Sequence, residues 1–396
     1  MGHPSLVVTR LEHVLEDPVP PGVLMQGHAY GLPTQRAALT AAERQSEAAL
    51  TRLRAEAVGV RRVENAAQFE ISLADGRAVH ADFVVLALGH LGAQRLSFAE
   101  PLLESGRYIS NPWDYAAMDH IPAGQPVLVV GTGHTAVDAV FRLTSRNDER
   151  KVILLSRRGL LPKGHRTMPK APATTAFPGY LQGLPATTVA HLRAVRRQIR
   201  LRQQEGQNWR DVINALRPHT AELWARLPYG ERRRFLSRVA PWWDIHRHRL
   251  APTAYRRLHG LLESGRAEVI AGQVVSMEAH GQAVRVKLRP RAGGALRELE
   301  VAAVANCTGP DYDITRLTTS RLIVQQREEG YLRPDPLRIG IDVDEHYQVI
   351  GRDGRPVSGL HYVGPMLRAR YWEAIAVPEL RRHTQNLAHH LLKCSA

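Results

Sequence analysis

Cysteine is scarce in this 396-residue chain: Cys307 and Cys394 stand far apart and form no C-x-x-C pair. That argues against a disulfide framework and a dithiol redox centre, and it makes a reducing cytoplasm the expected compartment. No apolar run approaches the length of a membrane span. The opening MGHPSLVVTRLEHVLEDPVP has early acidic residues and no continuous apolar core, so it makes a poor signal peptide. G-x-S-x-G, Walker and H-E-x-x-H patterns are all missing, which removes the best-known hydrolase and NTPase signatures. Lysine is almost absent too. Nearly all of the charge behind a formal net +15 is arginine in an alanine-rich chain, as a GC-rich coding sequence would produce. With no lysine-rich tail or repeated basic motif, neither nucleic acid nor a membrane is the expected partner. At 44% hydrophobic and 23% charged residues, the composition is that of a globular protein with room for two or three domains.

What is present begins with VLVVGTGHTAVDAV, residues 127–140. An apolar strand runs into Gly131-x-Gly133-x-x-Ala136 and then an amphipathic helix, the opening of a dinucleotide-binding βαβ unit. Gly131 permits the tight turn, Gly133 lets a pyrophosphate approach the backbone, and Ala136 lets the helix pack on the strand. Thr132, His134 and Thr135 complete the loop, whose helix N-terminus offers free N–H groups and a partial positive charge. The next strand, KVILLSRRG, follows at the expected distance and ends in Ser156-Arg157-Arg158. Sites for NAD usually place a carboxylate there for the ribose 2′-hydroxyl. Two guanidiniums stand there instead, suited to a 2′-phosphate, so NADPH is expected over NADH.

A second pattern occurs twice. Residues 55–90 carry short alternating strands around Asp75-Gly76 and close on the buried strand FVVLALG, ending at Gly89. Residues 267–310 repeat the arrangement and close on VAAVANCTG, ending at Gly309. Each reads as a three-stranded antiparallel excursion that returns to a parallel sheet. LVVTRLEHVLE is open between strand and helix, residues Thr40–Ala57 have helical spacing, and residues 180–240 form a helical insertion. Leu192, Val195 and Ile199 make one stripe of that insertion, and Arg193, Arg196, Arg197 and Arg200 read as a solvated face. Asp244-x-His246-x-His248 has metal-ligand residue types, but its arginine-crowded surroundings oppose a cation, and no metal is expected.

These pieces, taken in order, resemble the two-dinucleotide-binding-domain flavoproteins, among them the flavin-containing and N-hydroxylating monooxygenases. They are more closely similar to a bacterial group of FAD/NAD(P)-binding, FAD-dependent oxidoreductases. FVVLALGH, VGTGHTAVDAV, LLSRRGLLPKGH, PWWDIHRHRLAP, ANCTGP, YLRPDPLRIGIDVD and LHYVGPMLRARYWEAIAVPELR carry the resemblance, over roughly residues 55–390. It implies an α/β fold in which a Rossmann-like FAD domain is interrupted by an inserted Rossmann-like NADP domain. The expected division is 1–110 for the first, incomplete part of the FAD domain. Residues 111–310 would form the NADP domain with a helical insertion at about 180–255, and 311–396 the last part of the FAD domain.

The resemblance also implies further cofactor-binding residues. Gly89, Gly309 and Pro310 would end the closing strands, Gly364 would turn the chain beside the flavin, and a helix from about Trp372 would point its N-terminus at the flavin ring. Pro365 stands where many relatives have Asp. Trp242, Trp243 and His246 would lie near the domain junction, where plain packing is the rival explanation. Asp138 would bond nearby backbone, while Glu373 and Glu379 are open between the flavin and the surface. Residues 1–50 contain no Gly-x-Gly-x-x-Gly turn for the ADP half of FAD. A start downstream of the true one, a lost unit, or a cofactor held differently each account for that, and a sheet without its central strand would follow. The expected activity is hydride transfer from NADPH through FAD to oxygen or a small organic acceptor, monooxygenase-like because the C-x-x-C of a disulfide reductase is missing. The alternative is a non-catalytic NADP-binding remnant. Catalytic residues and oligomeric state are not legible.

Overall fold

The computed structural model describes residues 6–9, 51, 53–63, 68–145, 149–168 and 176–395. Two parallel-type sheets organise the chain. The first, of four strands, has the order β1-β5-β14-β13, with β1 at Leu6–Thr9, β5 at Phe83–Leu86, β13 at Gln348–Ile350 and β14 at Pro356–Tyr362. The front of the chain thus contributes a strand, pairing in parallel with β5 from Leu6↔Phe83 to Thr9↔Leu86. A strand does stand beside β5, and LVVT resolves as strand rather than helix.

Between β1 and β5 lies the first excursion, β2 (Ala57–Arg62), β3 (Phe69–Leu73) and β4 (Ala78–Ala81), an antiparallel three-stranded sheet. Phe69, Ile71 and Leu73 alternate inward on β3, as a half-buried strand requires. Asp75 makes the turn by accepting from the backbone N–H of Arg77 at 3.1 Å, and Gly76 takes φ +86. Ala57, expected to end a helix, starts β2 instead, because its place in that alternation buries it under β3. The rest of that expected helix, 40–50, lies outside the described residues.

The second sheet has seven strands in the order β11-β10-β9-β8-β7-β12-β6. They are β6 (Tyr108–Ile109), β7 (Val127–Val130), β8 (Val152–Ser156), β9 (Ala267–His280), β10 (Ala283–Pro290), β11 (Arg297–Val301) and β12 (Ala303–Asn306). β7 reads VLVV and is buried throughout because both faces are covered. Val127 and Val129 enter one apolar cluster, while Leu128 and Val130 enter the other. The second excursion departs from the first in one respect. β9 runs parallel to β8 from Ala267 to Ala271, then continues antiparallel to β10, so the excursion extends the parallel sheet rather than leaving it.

The helices are α1 (Tyr115–Asp119), α2 (His134–Leu143), α3 (Thr188–Gln204), α4 (Trp209–Leu216), α5 (Thr220–Arg226), α6 (Tyr229–Arg238), α7 (Ala240–Arg247), α8 (Pro252–Glu263), α9 (Arg321–Glu328) and α10 (Val377–Ser395). Helices α3 to α8 form the insertion between β8 and β9. Val195 and Ile199 pack on its core while Leu192 is exposed, and Arg193, Arg196, Arg197 and Arg200 face water. No helix among the described residues is long and apolar enough to cross a membrane.

Candidate active site at the junction of the two sheets

The loop after β7 is shaped by one close crossing. The backbone N–H of Gly131 donates to Leu155 O at 2.8 Å, and its φ is +125. A methyl at this position would overlap the carbonyl oxygen of Cys307. Glycine at 131 is therefore demanded by the protein's own packing. Gly133 is different. It caps α2 in an extended conformation with no side-chain cap, and a methyl there would meet no atom within 4 Å. The amides of the first turn, at His134, Thr135 and Ala136, precede the first intrahelical bond, Val137 N–H to Gly133 O at 3.1 Å. Ala136 is fully buried against the sheet. Thr132 does not face outward: its hydroxyl donates to Leu160 O at 2.6 Å and lies 3.0 Å from Ser156 Oγ. Burial, together with His248 nearby, holds His134 below the ordinary imidazole range, against the pull of a bond to the backbone of Arg249. Asp138, one turn on, is pushed up to about 6 by burial.

At the end of β8 the Ser156 hydroxyl also accepts from Gly159 N–H at 3.0 Å, so it braces the turn. The arginines that follow are the open groups. Arg157 is exposed, and Arg158 is half-buried with Nη2 donating to Ser237 O at 2.9 Å. Arg291 approaches from beyond β10, donating to Arg157 O at 3.4 Å, and Arg238 faces them from α6. Arg158 is held below the ordinary guanidinium value by desolvation first, then by Arg157, Arg291 and Arg238. None of the four forms an ion pair with a carboxylate among the described residues. Arg238 and Arg291 were not foreseen, because they come from segments 80 or more residues away.

The two closing strands end side by side. Gln94 N–H donates to Gly309 O at 3.0 Å, Asn306 Nδ2 donates to Gln94 O at 2.8 Å, and Ala93 bridges Pro310. Methyls at Gly89 and Gly309 would meet nothing within 4 Å, leaving both backbones open to a ligand. Gly364 is a packing glycine like Gly131, since a methyl there would overlap Leu88 O and crowd the Tyr362 hydroxyl. Pro365, buried, starts a 3-10 turn through Ala369. Beside these ends, the Arg368 guanidinium lies 4.4 Å from the Tyr312 ring and 4.7 Å from the Trp372 ring, a cation–π sandwich. Burial and Arg368 hold His90 below the ordinary imidazole range.

Trp372 does not open a helix as expected; α10 begins at Val377. Two causes are visible. The indole is locked on Trp224, with ring centroids 4.9 Å apart, and edge-on to Phe235 at 5.3 Å. The next residue, Glu373, takes φ +74, which no helix continues. In the first turn of α10 the Glu379 carboxylate is held by Arg217 at 2.8 and 3.0 Å.

Glu373 is the buried centre of a charged group. It is 3% exposed. Oε1 accepts from Trp243 Nε1 at 2.7 Å. Oε2 lies 3.2 Å from Arg247 Nε and 3.4 Å from His248 Nε2. Burial pushes this carboxyl up, but His248, Arg247 and Trp243 outweigh it and hold it below the ordinary value. Asp244 and His248, four residues apart at the end of α7, share a helix face, and their ligating atoms lie with that of Glu373 within 4.8 Å. The helix sends His246 elsewhere, 5.0 Å edge-on to Trp209, so Asp-x-His-x-His is not one cluster. Trp243 is inside the junction, whereas Trp242 is exposed. The choice left open for Glu373 between flavin and surface did not include this position. Its partners come from another domain-sized stretch, and no local pattern signals them.

A family model described as FAD-NAD(P)-binding matches residues 27–91. Comparison with curated protein sequences finds no match. Among solved structures, the FAD-bound cadaverine monooxygenase of desferrioxamine biosynthesis from Erwinia amylovora is similar with TM-score 0.58 at 12% identity, covering 90% of this chain and 77% of that one. The reduced ornithine hydroxylase from Pseudomonas aeruginosa gives 0.55 at 15%, covering 90% and 74%. The L-lysine 6-monooxygenase from Pseudomonas syringae gives 0.55 at 15%, covering 91% and 80%. The chain has the fold of two-dinucleotide-binding-domain flavoproteins, α/β with two Rossmann-like sheets.

Proposed function

We propose that the chain is an NADPH-dependent flavin oxidoreductase of monooxygenase-like type. NADPH lies on the α2 N-terminus, with its pyrophosphate over Gly133 and its 2′-phosphate among Arg157, Arg158, Arg238 and Arg291. FAD lies against Gly89, Gly309 and the Gly364–Pro365 turn. The observation that carries this reading is the four-arginine cluster at the end of β8. Gathering guanidiniums with no carboxylate costs electrostatic energy, and a dianionic 2′-phosphate at the position the motif specifies relieves it. The open backbone at Gly133, Gly89 and Gly309 fits the two nucleotides. When bound, flavin supplies the two-electron chemistry; the residues here bind, orient and exclude water. Residues 1–110 and 311–396 then form the FAD-binding part and 111–310 the NADP-binding part. The acceptor is oxygen or a small organic molecule, and the setting is cytoplasmic.

The test is binding. The purified protein is expected to show a flavin absorbance with stoichiometric FAD and to prefer NADPH to NADH. Exchanging Arg157 and Arg158 together for alanine is expected to weaken NADPH by about a hundredfold or more while leaving NADH unchanged, given charge-assisted bonds of about 1.5–3 kcal/mol each. A colourless protein that still binds NADPH favours the non-catalytic alternative, and an unchanged preference in the double variant overturns the 2′-phosphate assignment.

A further inference from the structure

The proposed reaction has a proton balance that holds for any two-electron acceptor A: NADPH + H⁺ + A gives NADP⁺ + AH₂. Reduction of oxygen to peroxide, or its split between a substrate and water, takes up the same single proton. NADPH brings a hydride, so the proton must come from the protein or the solvent at the junction.

We propose that His248, held by Glu373 and recharged through Asp244, is the residue that delivers this proton. Three observations support it. Glu373 Oε2 lies 3.4 Å from His248 Nε2 as an ion pair, and a carboxylate on that side favours a proton on Nε2 and leaves Nδ1 as the exchanging nitrogen. The Nδ1 atom has no hydrogen-bond partner among the described residues, and the side chain keeps 28% of its surface open. Asp244, beside it, reaches water yet is hemmed in by protein. Its carboxylate lies within 4.8 Å of His248, and burial, opposed by His248 and Arg368, pushes its carboxyl up to about 6.

The other ionisable groups at the junction suit the role less well. Burial and Arg368 disfavour a proton on His90. Burial does the same at His134, which is also bonded to the backbone of Arg249. Tyr312 is pushed up by burial and bonded to Arg368. Arg247 answers Glu373, and Glu379 is taken by Arg217. In each cycle His248 loses the Nδ1 proton to the reduced acceptor, becomes neutral with Nε2–H still facing Glu373, and regains a proton from Asp244, which draws on solvent. Glu373 is kept in a left-handed backbone conformation, φ +74, of the kind concentrated at functional sites.

This role rests on the oxidoreductase reading, so the test has one arm that depends on it and one that does not. In the first, FAD-loaded protein oxidises NADPH with either menadione, which takes up a proton on reduction, or ferricyanide, which takes only electrons. His248→Gln is expected to slow menadione reduction about a hundredfold, within the usual range for acid–base groups. It should leave ferricyanide reduction and NADPH affinity within twofold. Equal slowing with both acceptors, or none with either, overturns the proposal. In the second, ¹⁵N-histidine spectra of the unloaded protein are recorded, and the His248 signals are identified by their loss in His248→Gln. At alkaline pH, where the imidazole is neutral, they are expected to show the Nε2–H tautomer, and that preference should collapse in Glu373→Gln. An unmoved tautomer overturns the dyad. A wild-type protein that oxidises NADPH with neither acceptor overturns the oxidoreductase reading and the delivery role with it, while the spectra still decide the dyad.

Discussion

Replacing Gly131 by alanine is expected to abolish NADPH binding and to destabilise the fold by roughly 3 kcal/mol or more, on the scale of other backbone-incompatible substitutions. The glycine has φ +125, and the new methyl would overlap Cys307 O. Cys307 cannot yield. Cys307 N–H donates to Val130 O at 2.8 Å, so its backbone is part of the β7–β12 ladder, and its side chain is buried. Gly133→Ala is the matched comparison. Its methyl meets nothing in the protein, so it is expected to cost at most about 1 kcal/mol through a poorer N-cap, yet to weaken NADPH strongly because the space it fills is the nucleotide's. Urea denaturation and equilibrium titration with NADPH separate the two. If Gly133→Ala binds NADPH as the wild type does, the phosphates do not lie over that residue.

The second large effect is at Glu373. Glu373→Gln removes the charge that answers Arg247, which is itself largely buried. Breaking one partner of a buried pair leaves the other uncompensated, and about 3 kcal/mol of stability is expected to be lost at pH 7. The pH dependence has a definite sign. The folded carboxyl is held below its ordinary value of 4.5. Its contribution is therefore complete above that value and is lost as the pH falls through the lower folded value. Urea midpoints of wild type and variant should differ by about the same amount at pH 7 and pH 8 and draw together as the pH falls below 4.5. A gap that does not narrow at all on acidification would mean that the loss is one of packing rather than charge.

Much of the scaffold was legible because it is written locally. β7 and β8 read as unbroken apolar runs since both faces are covered, and the excursions announce themselves by alternation around Asp75-Gly76 and Gly293-Gly294. The loop glycines were legible as a class, but their reasons were not. Gly131 and Gly364 answer to carbonyl oxygens 176 and 276 residues away in sequence, whereas Gly133, Gly89 and Gly309 face open space. The charged group at the junction was out of reach for the same reason. Glu373, Asp244, His248 and Arg368 meet only once the helical insertion docks on the C-terminal segment, through Trp224 Nε1 to Ala369 O at 2.8 Å and the Trp224–Trp372 stack. That docking also stops α10 short of Trp372, where the resemblance implied a helix start. Nor does the sequence show that the Ser156 hydroxyl is engaged by Thr132 and by Gly159 N–H.

The most direct test of the central claim is anaerobic mixing of the FAD-loaded protein with NADPH while the flavin absorbance is followed. Bleaching by NADPH at a rate at least tenfold above that with NADH is the expected result. It should slow when Arg157 and Arg158 are both replaced by alanine. A flavin that binds yet stays oxidised in excess NADPH, or a protein that takes up no flavin while holding NADPH, would contradict the account.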